Sequence, residues 1–226
     1  MRPIALKLSY FGPFESADID FRNFIESPIF LISGDTGAGK STILDAMSYA
    51  LFGATTGSRG PKEVRSQFAT VEEKTQVTFY FEQGSHLYRV VRSPEQTLMG
   101  TRKVRNQAPE ASLAIVNGVN GKELQSLASK PKDVGLEIAG ILRLDHEQFK
   151  KIILLIFLAF SRTRQRRKRR SSKKFLEQRF LRTSKVGLRI DIFWPSQQTR
   201  RRQERSRLTT SQIHGPQKSR IRLRML

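Results

Sequence analysis

The chain has 226 residues, with 41 Lys and Arg against 20 Asp and Glu, a net charge of +21 and no cysteine. That length suits one sizeable domain, or a domain with an extension. The missing cysteines exclude disulfides, thiolate zinc sites and cysteine nucleophiles within these residues, and they fit a reducing, cytoplasmic setting.

The charge is unevenly spread. Residues 156–226 hold 22 Lys and Arg but only three acids, Glu177, Asp191 and Glu204, whereas residues 1–155 hold 19 bases and 17 acids. The chain therefore reads as two compositions: an ordinary globular domain over 1–155 and an Arg-rich segment over 156–226. His86, His146 and His214 are scattered and form no metal-ligand spacing. Met1 to Tyr10 lacks the apolar core of a signal peptide. The longest apolar run, Ile152 to Phe160, has nine residues, far short of the ~20 that span a bilayer. No membrane association is expected.

In chain order, Ile4 to Tyr10 alternates apolar and polar residues and predicts a strand. Phe11-Gly12-Pro13-Phe14 predicts a turn, and Ala17 to Phe21 a second strand, giving a hairpin-like pair. Ile29 to Ser33 is a short apolar strand. It runs into Gly34-Asp35-Thr36-Gly37-Ala38-Gly39-Lys40-Ser41-Thr42, which has the spacing G-x-x-x-x-G-K-[ST] of a phosphate-binding P-loop. Ile43, Leu44, Met47, Ala50 and Leu51 then recur at helical spacing, with Gly53 at the place of a C-terminal cap.

The residue types suit the chemistry. Glycines let the backbone curl so that successive N–H groups face phosphate oxygens. The helix that follows presents its positive end to the same anion. In such a loop Lys40 would reach the β- and γ-phosphates of ATP, and the Ser41 hydroxyl would coordinate Mg²⁺.

Gly53 to Pro61 predicts a loop, and Glu63 to Ala69 a short irregular or helical piece. Gln76 to Glu82, with Val77, Phe79 and Phe81 on one face, and Leu87 to Arg92 predict an antiparallel hairpin turning at Gly84. Residues 93–121 predict loop plus one or two strands, around Lys103–Val104 and Leu113–Val116. Lys132 to Leu142 predicts an amphipathic helix after Pro131, carrying Val134, Leu136, Ile138, Ile141 and Leu142. Asp145 to Phe149 starts a further turn or helix, and Lys150 to Leu155 a buried strand or helix. The order predicts an α/β ATPase lobe with an added antiparallel β-subdomain, unlike a plain alternating βα pattern.

Phe11 to Phe14 with Ile19-Asp20-Phe21, Leu31 to Thr42, Leu44 to Gly53, Arg65 to Ala69, Tyr88 to Gln96 and Leu144 to Phe149 form an ordered set. On these residues the first 155 positions resemble the SbcC family of SMC-like DNA double-strand-break repair ATPases. The resemblance implies the N-terminal lobe of an SMC/ABC-type P-loop NTPase head. In that family, the N- and C-terminal segments of one long chain join into a head, separated by a coiled coil. Two heads close around two ATP–Mg²⁺ units. Closure controls the access of DNA to a partner nuclease of the SbcD type. It implies ATP and Mg²⁺ as cofactors, and SbcD, a second SbcC head and DNA as partners.

The resemblance breaks off after Leu155. The family continues there with a Pro-Gln-Gly-Glu-Phe-like segment whose glutamine touches Mg²⁺ and the attacking water. Here Phe157 takes the glutamine position, and a phenyl ring can do neither. The signature motif and the acidic Walker B strand are absent from this chain, so no catalytic residue is expected in it. Arg162 to Lys174 carries nine basic residues in thirteen. Three readings of the Arg-rich segment follow: a frameshifted translation of an SbcC-type gene, which the coincidence of composition change and motif loss favours; an arm binding nucleic-acid phosphates; or a solvated, disordered charge run. Ile190 to Trp194 and Ile221 to Arg224 show only weak strand-like alternation, and no fold is assigned to the segment.

Overall fold

The computed structural model describes residues 1–22, 30–33, 37–57, 60, 63–100, 103–152, 188–193 and 218–225. Eleven strands and two principal helices run through the described residues in the order β1 (Arg2–Ser9), β2 (Ser16–Asp20), β3 (Phe30–Ser33), α1 (Lys40–Phe52), β4 (Gln76–Gln83), β5 (His86–Ser93), β6 (Gln96–Met99), β7 (Val104–Gln107), β8 (Glu110–Val116), β9 (Glu123–Ala128), α2 (Pro131–Leu142), β10 (Leu188–Phe193) and β11 (Lys218–Met225). Nine strands form one sheet in the order β3-β11-β10-β2-β1-β4-β5-β8-β9, and β6 pairs with β7 alone.

The antiparallel centre follows from alternation. β1 pairs with β2 (Leu6 opposite Ile19) and with β4 (Leu6 opposite Phe79). β4 turns into β5 through Gly84 at φ +63°, and β5 pairs with β8. On one face Leu6, Leu8, Ile19, Val77, Phe79, Phe81, Val90 and Leu113 are buried beneath α1 and α2. Phe81 stacks between Phe79 and Tyr88, with ring centroids 5.8 and 5.2 Å away. A smaller cluster of Ile4, Ala5, Tyr80 and Val116 covers the other face.

α1 is buried nearly all round, through Thr42, Ile43, Ala46, Met47, Ser48, Tyr49, Ala50 and Leu51. It ends at Gly53 in the left-handed region (φ +75°), whose N–H donates to the Tyr49 carbonyl at 2.8 Å. α2 opens with Pro131 in its first turn, where a missing N–H costs nothing. The predicted apolar face needs one correction. Val134 and Ile138, four residues apart, are buried, but Leu136 is 67% exposed. Two residues along a helix turn the side chain by about 200°, away from the core face.

Residues 146–152 are helical, opened by a reciprocal cap. The Gln148 N–H donates to Asp145 Oδ1 at 2.7 Å and the Asp145 N–H to Gln148 Oε1 at 3.0 Å, a capping box spelled Asp145-His146-Glu147-Gln148. Phe149 of this segment meets Phe52 of α1 at a 5.4 Å centroid distance.

Two strands arise within the Arg-rich segment, where none was assigned. β10 and β11 pair antiparallel with each other, β10 against β2 and β11 against β3. Their sequences alternate, with Leu188, Ile190 and Ile192 in one and Ile221, Leu223 and Met225 in the other, the period-two pattern of a strand. The remainder of the segment, the boundary at 155 and Phe157 lie outside the described residues.

Candidate nucleotide site at the start of α1

β3 delivers the chain to the Gly-rich stretch at the amino end of α1. Gly34, Asp35 and Thr36 lie outside the described residues. Gly37 and Gly39 both stand in the left-handed region, at φ +85° and +82°. Gly39 is the N-cap of α1, Lys40 its first helical residue, and no side chain caps the helix. No acidic residue occupies its first turn. The first N–H groups of a helix have no acceptor within it, so an uncapped, acid-free start leaves the positive end suited to an anion. Ala38, Gly39 and Lys40 are partly exposed, Ser41 is exposed and Thr42 is buried.

Thr42 and Gly39 are held from below by the turn between β1 and β2. A Cβ on Gly39 would stand 2.4 Å from Phe14 Cζ, and one on Gly12 would stand 2.8 Å from Thr42 Cγ2. The turn in turn leans on residues 63–66. The Gly12 N–H donates to the Val64 carbonyl at 2.7 Å, and the Ser66 N–H to the Tyr10 carbonyl at 2.8 Å. Arg65 anchors that piece: Nη1 donates to the Glu73 carbonyl, Thr75 Oγ1 and Gln96 Oε1 at 2.7 to 3.0 Å, and Nη2 to the Thr70 carbonyl.

The far end of α1 is fixed by Arg92, which is only 5% exposed. Its Nε donates to the Ala50 carbonyl at 3.0 Å, Nη2 to Leu51 at 3.3 Å and Nη1 to Pro131 at 3.5 Å. One guanidinium thus closes the last turn of α1 and ties it to α2. Burial pulls Arg92 below its ordinary pKa and pushes the Tyr49 phenol up to about 12. Asp45 of α1 accepts from the backbone N–H and the hydroxyl of Thr56. His146 Nε2 lies 3.2 Å from the Thr55 carbonyl. Among the described residues no group of three or more His, Asp or Glu could hold a metal ion, and no helix is long and apolar enough to cross a membrane.

Glu73 is the titrating element of this support. Burial would raise its pKa, but hydrogen bonds from Thr70 and from Tyr10 Oη, at 3.0 Å, hold it below the ordinary carboxylate value. A depressed folded-state value contributes stability that is present above the unfolded pKa, about 4.3, and lost as pH falls through the folded one. Glu73→Gln is therefore expected to flatten the acid limb of a stability–pH curve below about pH 5, measured by urea denaturation at successive pH values.

Residues 5–214 match the sequence model of the AAA domain. The chain belongs to the AAA domain family. Curated relatives sharpen this placement of the AAA domain. The SbcC protein of the SbcCD nuclease from Lactococcus lactis subsp. lactis is 60% identical over 164 residues, 72% of this chain and 16% of the relative. Its counterpart from Vibrio cholerae serotype O1 is 40% identical over 159 residues, 69% of this chain and 15% of that protein. The one from Staphylococcus aureus MRSA252 is 36% identical over 156 residues, with the same shares. The similarity covers about the first 70% of the chain, so the SbcC resemblance of the N-terminal lobe stands. The chain spans about one-sixth of the length of the first of these relatives.

Within this AAA domain the structure brings Gly37, Ala38, Gly39, Lys40, Ser41 and Thr42 together at the start of α1. Gly12, Phe14, Arg65 and Arg92 lie in segments that carry the SbcC resemblance, but their sequence assigned none of them a supporting role. For Arg92 a signal existed. It shares strand parity with Tyr88 and Val90, which places a charge on the core face of β5.

Proposed function

We propose that the chain is the ATP-binding N-terminal lobe of an SbcC-type ATPase head. The supporting observation is the start of α1: two left-handed glycines, no side-chain cap and no acid in the first turn. Gly34 to Thr42 would cradle the phosphates, with Lys40 reaching the β- and γ-phosphates and Ser41 as the protein's Mg²⁺ ligand. Bound Mg²⁺ supplies charge neutralisation on the phosphate oxygens. The chain's own residues bind and orient; Arg65, Phe14 and Arg92 keep the helix and loop in place. In an intact head the partners are a second SbcC head, an SbcD-type nuclease and DNA, in the cytoplasm.

Hydrolysis needs groups these 226 residues do not supply, so the lobe binds without turning over. The test is thermal unfolding with and without ATP–Mg²⁺. Ligand at about 100 Kd stabilises by about 2.7 kcal/mol, so the parent chain's Tm rises. Lys40→Ala loses most of that rise, and phosphate release stays at background in both. Turnover abolished by Lys40→Ala would overturn the binding-only reading.

The Arg-rich segment supports a second reading, as a nucleic-acid-binding arm: nine of the thirteen residues from Arg162 to Lys174 are basic. Phosphate-dominated binding weakens steeply with salt, by about 10³–10⁵ between 50 and 200 mM for six to ten contacts. Fluorescence anisotropy with short duplex DNA over that range should show such a collapse, and salt-insensitive binding would contradict it. We also read residues 156–226 as an out-of-frame translation of an SbcC-type gene. The family match runs on to residue 214, whereas similarity to the relatives named above spans 156 to 164 residues. Translating the gene downstream of codon 155 in the other two frames decides: a Pro-Gln-Gly-Glu-Phe-like segment followed by heptads is the expected result, and its absence from both frames sinks the frameshift.

A further inference from the structure

The turn at residues 10–15 carries more structure than a link between two strands needs. Tyr10 stands at φ +46°, a backbone region that costs a non-glycine residue energy and persists where surroundings over-determine it. Four hydrogen bonds hold it there. Its N–H donates to the Glu15 carbonyl at 2.8 Å. Its carbonyl accepts from the Ser66 N–H at 2.8 Å and from Thr75 Oγ1 at 3.2 Å. Its hydroxyl donates to Glu73 Oε1 at 3.0 Å. Phe11 bridges to Arg65. Besides this anchorage the turn approaches the phosphate loop at two points. The fully buried Phe14 ring fills the space under Gly39, and Gly12, at φ +56°, lies against the Thr42 methyl.

We propose that this turn is a brace that sets the phosphate loop in its binding geometry, with Phe14 and Gly12 as positioning residues for Gly39 and Thr42. The proposal rests on reading Gly34 to Thr42 as the nucleotide cradle. Gly39 is the residue from which α1 starts, so its seat fixes the direction of the N–H groups at Lys40, Ser41 and Thr42. Phe14 defines that seat from beneath. Removing the ring takes away the atoms that stand nearest a Cβ built at Gly39, so the loop can sink there. Adding a methyl to Gly12 pushes the loop from the other contact, through Thr42 Cγ2. The strained, four-fold anchored Tyr10 keeps the brace from yielding, and Arg65 carries the load through Gln96 and Thr75 to the body of the domain.

The test uses the 226-residue chain and ATP–Mg²⁺ titrated calorimetrically, with the Tm recorded without nucleotide. Phe14→Ala should weaken binding at least tenfold. Phe14→Leu, which refills most of the space, should recover most of the loss. Because Phe14→Ala alters the core, a second set removes dependence on its folding. Gly12→Ala is compared in the parent and in the Thr42→Ser background, where the opposing methyl is gone. The expected result is a larger loss of affinity from Gly12→Ala in the parent than in Thr42→Ser. The proposal is overturned by Phe14→Ala binding within twofold of the parent, or by Gly12→Ala costing the same factor in both backgrounds. A parent chain that binds no ATP sinks the nucleotide reading and the brace with it. A parent that binds, with variants that bind equally well, sinks the brace alone.

Discussion

Gly39→Ala is expected to weaken ATP binding by roughly a hundredfold, about 2.7 kcal/mol, and to destabilise the domain as well. Two independent costs meet there. The left-handed backbone at φ +82° costs an L-residue about 1–2 kcal/mol. The new methyl would also stand 2.4 Å from Phe14 Cζ, and overpacking a filled core costs about 1–3 kcal/mol. Neither is relieved without moving the start of α1. Gly37→Ala is the informative comparison. It meets the same backbone cost at φ +85° but finds nothing within 4 Å among the described residues, so its loss of stability should be the smaller by the overpacking share. Chemical denaturation of the two variants, alongside ATP titration, separates strain from collision.

The second large effect is expected at Arg92. Arg92→Ala should lower stability by roughly 2–4 kcal/mol, the cost of leaving buried carbonyls without their charged donor, offset in part by no longer burying the charge. For a domain of this size that is a fall in Tm of about 5–15 °C. Arg92→Lys should rescue little. An ammonium on a flexible stem cannot span the carbonyls of Ala50, Leu51 and Pro131 as the planar guanidinium does. A Tm within 2 °C of the parent for Arg92→Ala would show that the α1 terminus holds without Arg92.

Where local chemistry dictated structure, the sequence was readable. The P-loop helix, its Gly53 cap, the hairpin turning at Gly84 and the helix opening at Pro131 each carry their own signal, and each is where expected. β9 was not readable, because Glu123 to Ser126 are exposed on both sides of the strand. Its backbone pairs with β8 at the sheet edge, so no alternation marks it. β6 was hidden similarly. Gln96 is buried as a hydrogen-bond partner of Thr75 and Arg65, not as an apolar residue.

The candidate site was legible in its glycine-rich loop and opaque in its supports. Gly37 to Thr42 announce themselves by spacing. Phe14 and Gly12 act from a turn some 25 residues earlier in the chain, and only the folded sheet brings them under the loop. Arg65 likewise spans Thr70, Thr75 and Gln96, contacts that no local pattern encodes.

The central claim is that the backbone N–H groups at the start of α1 take the phosphates of ATP. Amide hydrogen exchange followed by mass spectrometry, on the parent chain and on Lys40→Ala with and without ATP–Mg²⁺, tests it most directly. Exchange should slow in peptides covering residues 37–43 when ATP–Mg²⁺ is added to the parent, and change much less in Lys40→Ala. Protection absent from those peptides in the parent, or equal in both proteins, would contradict it.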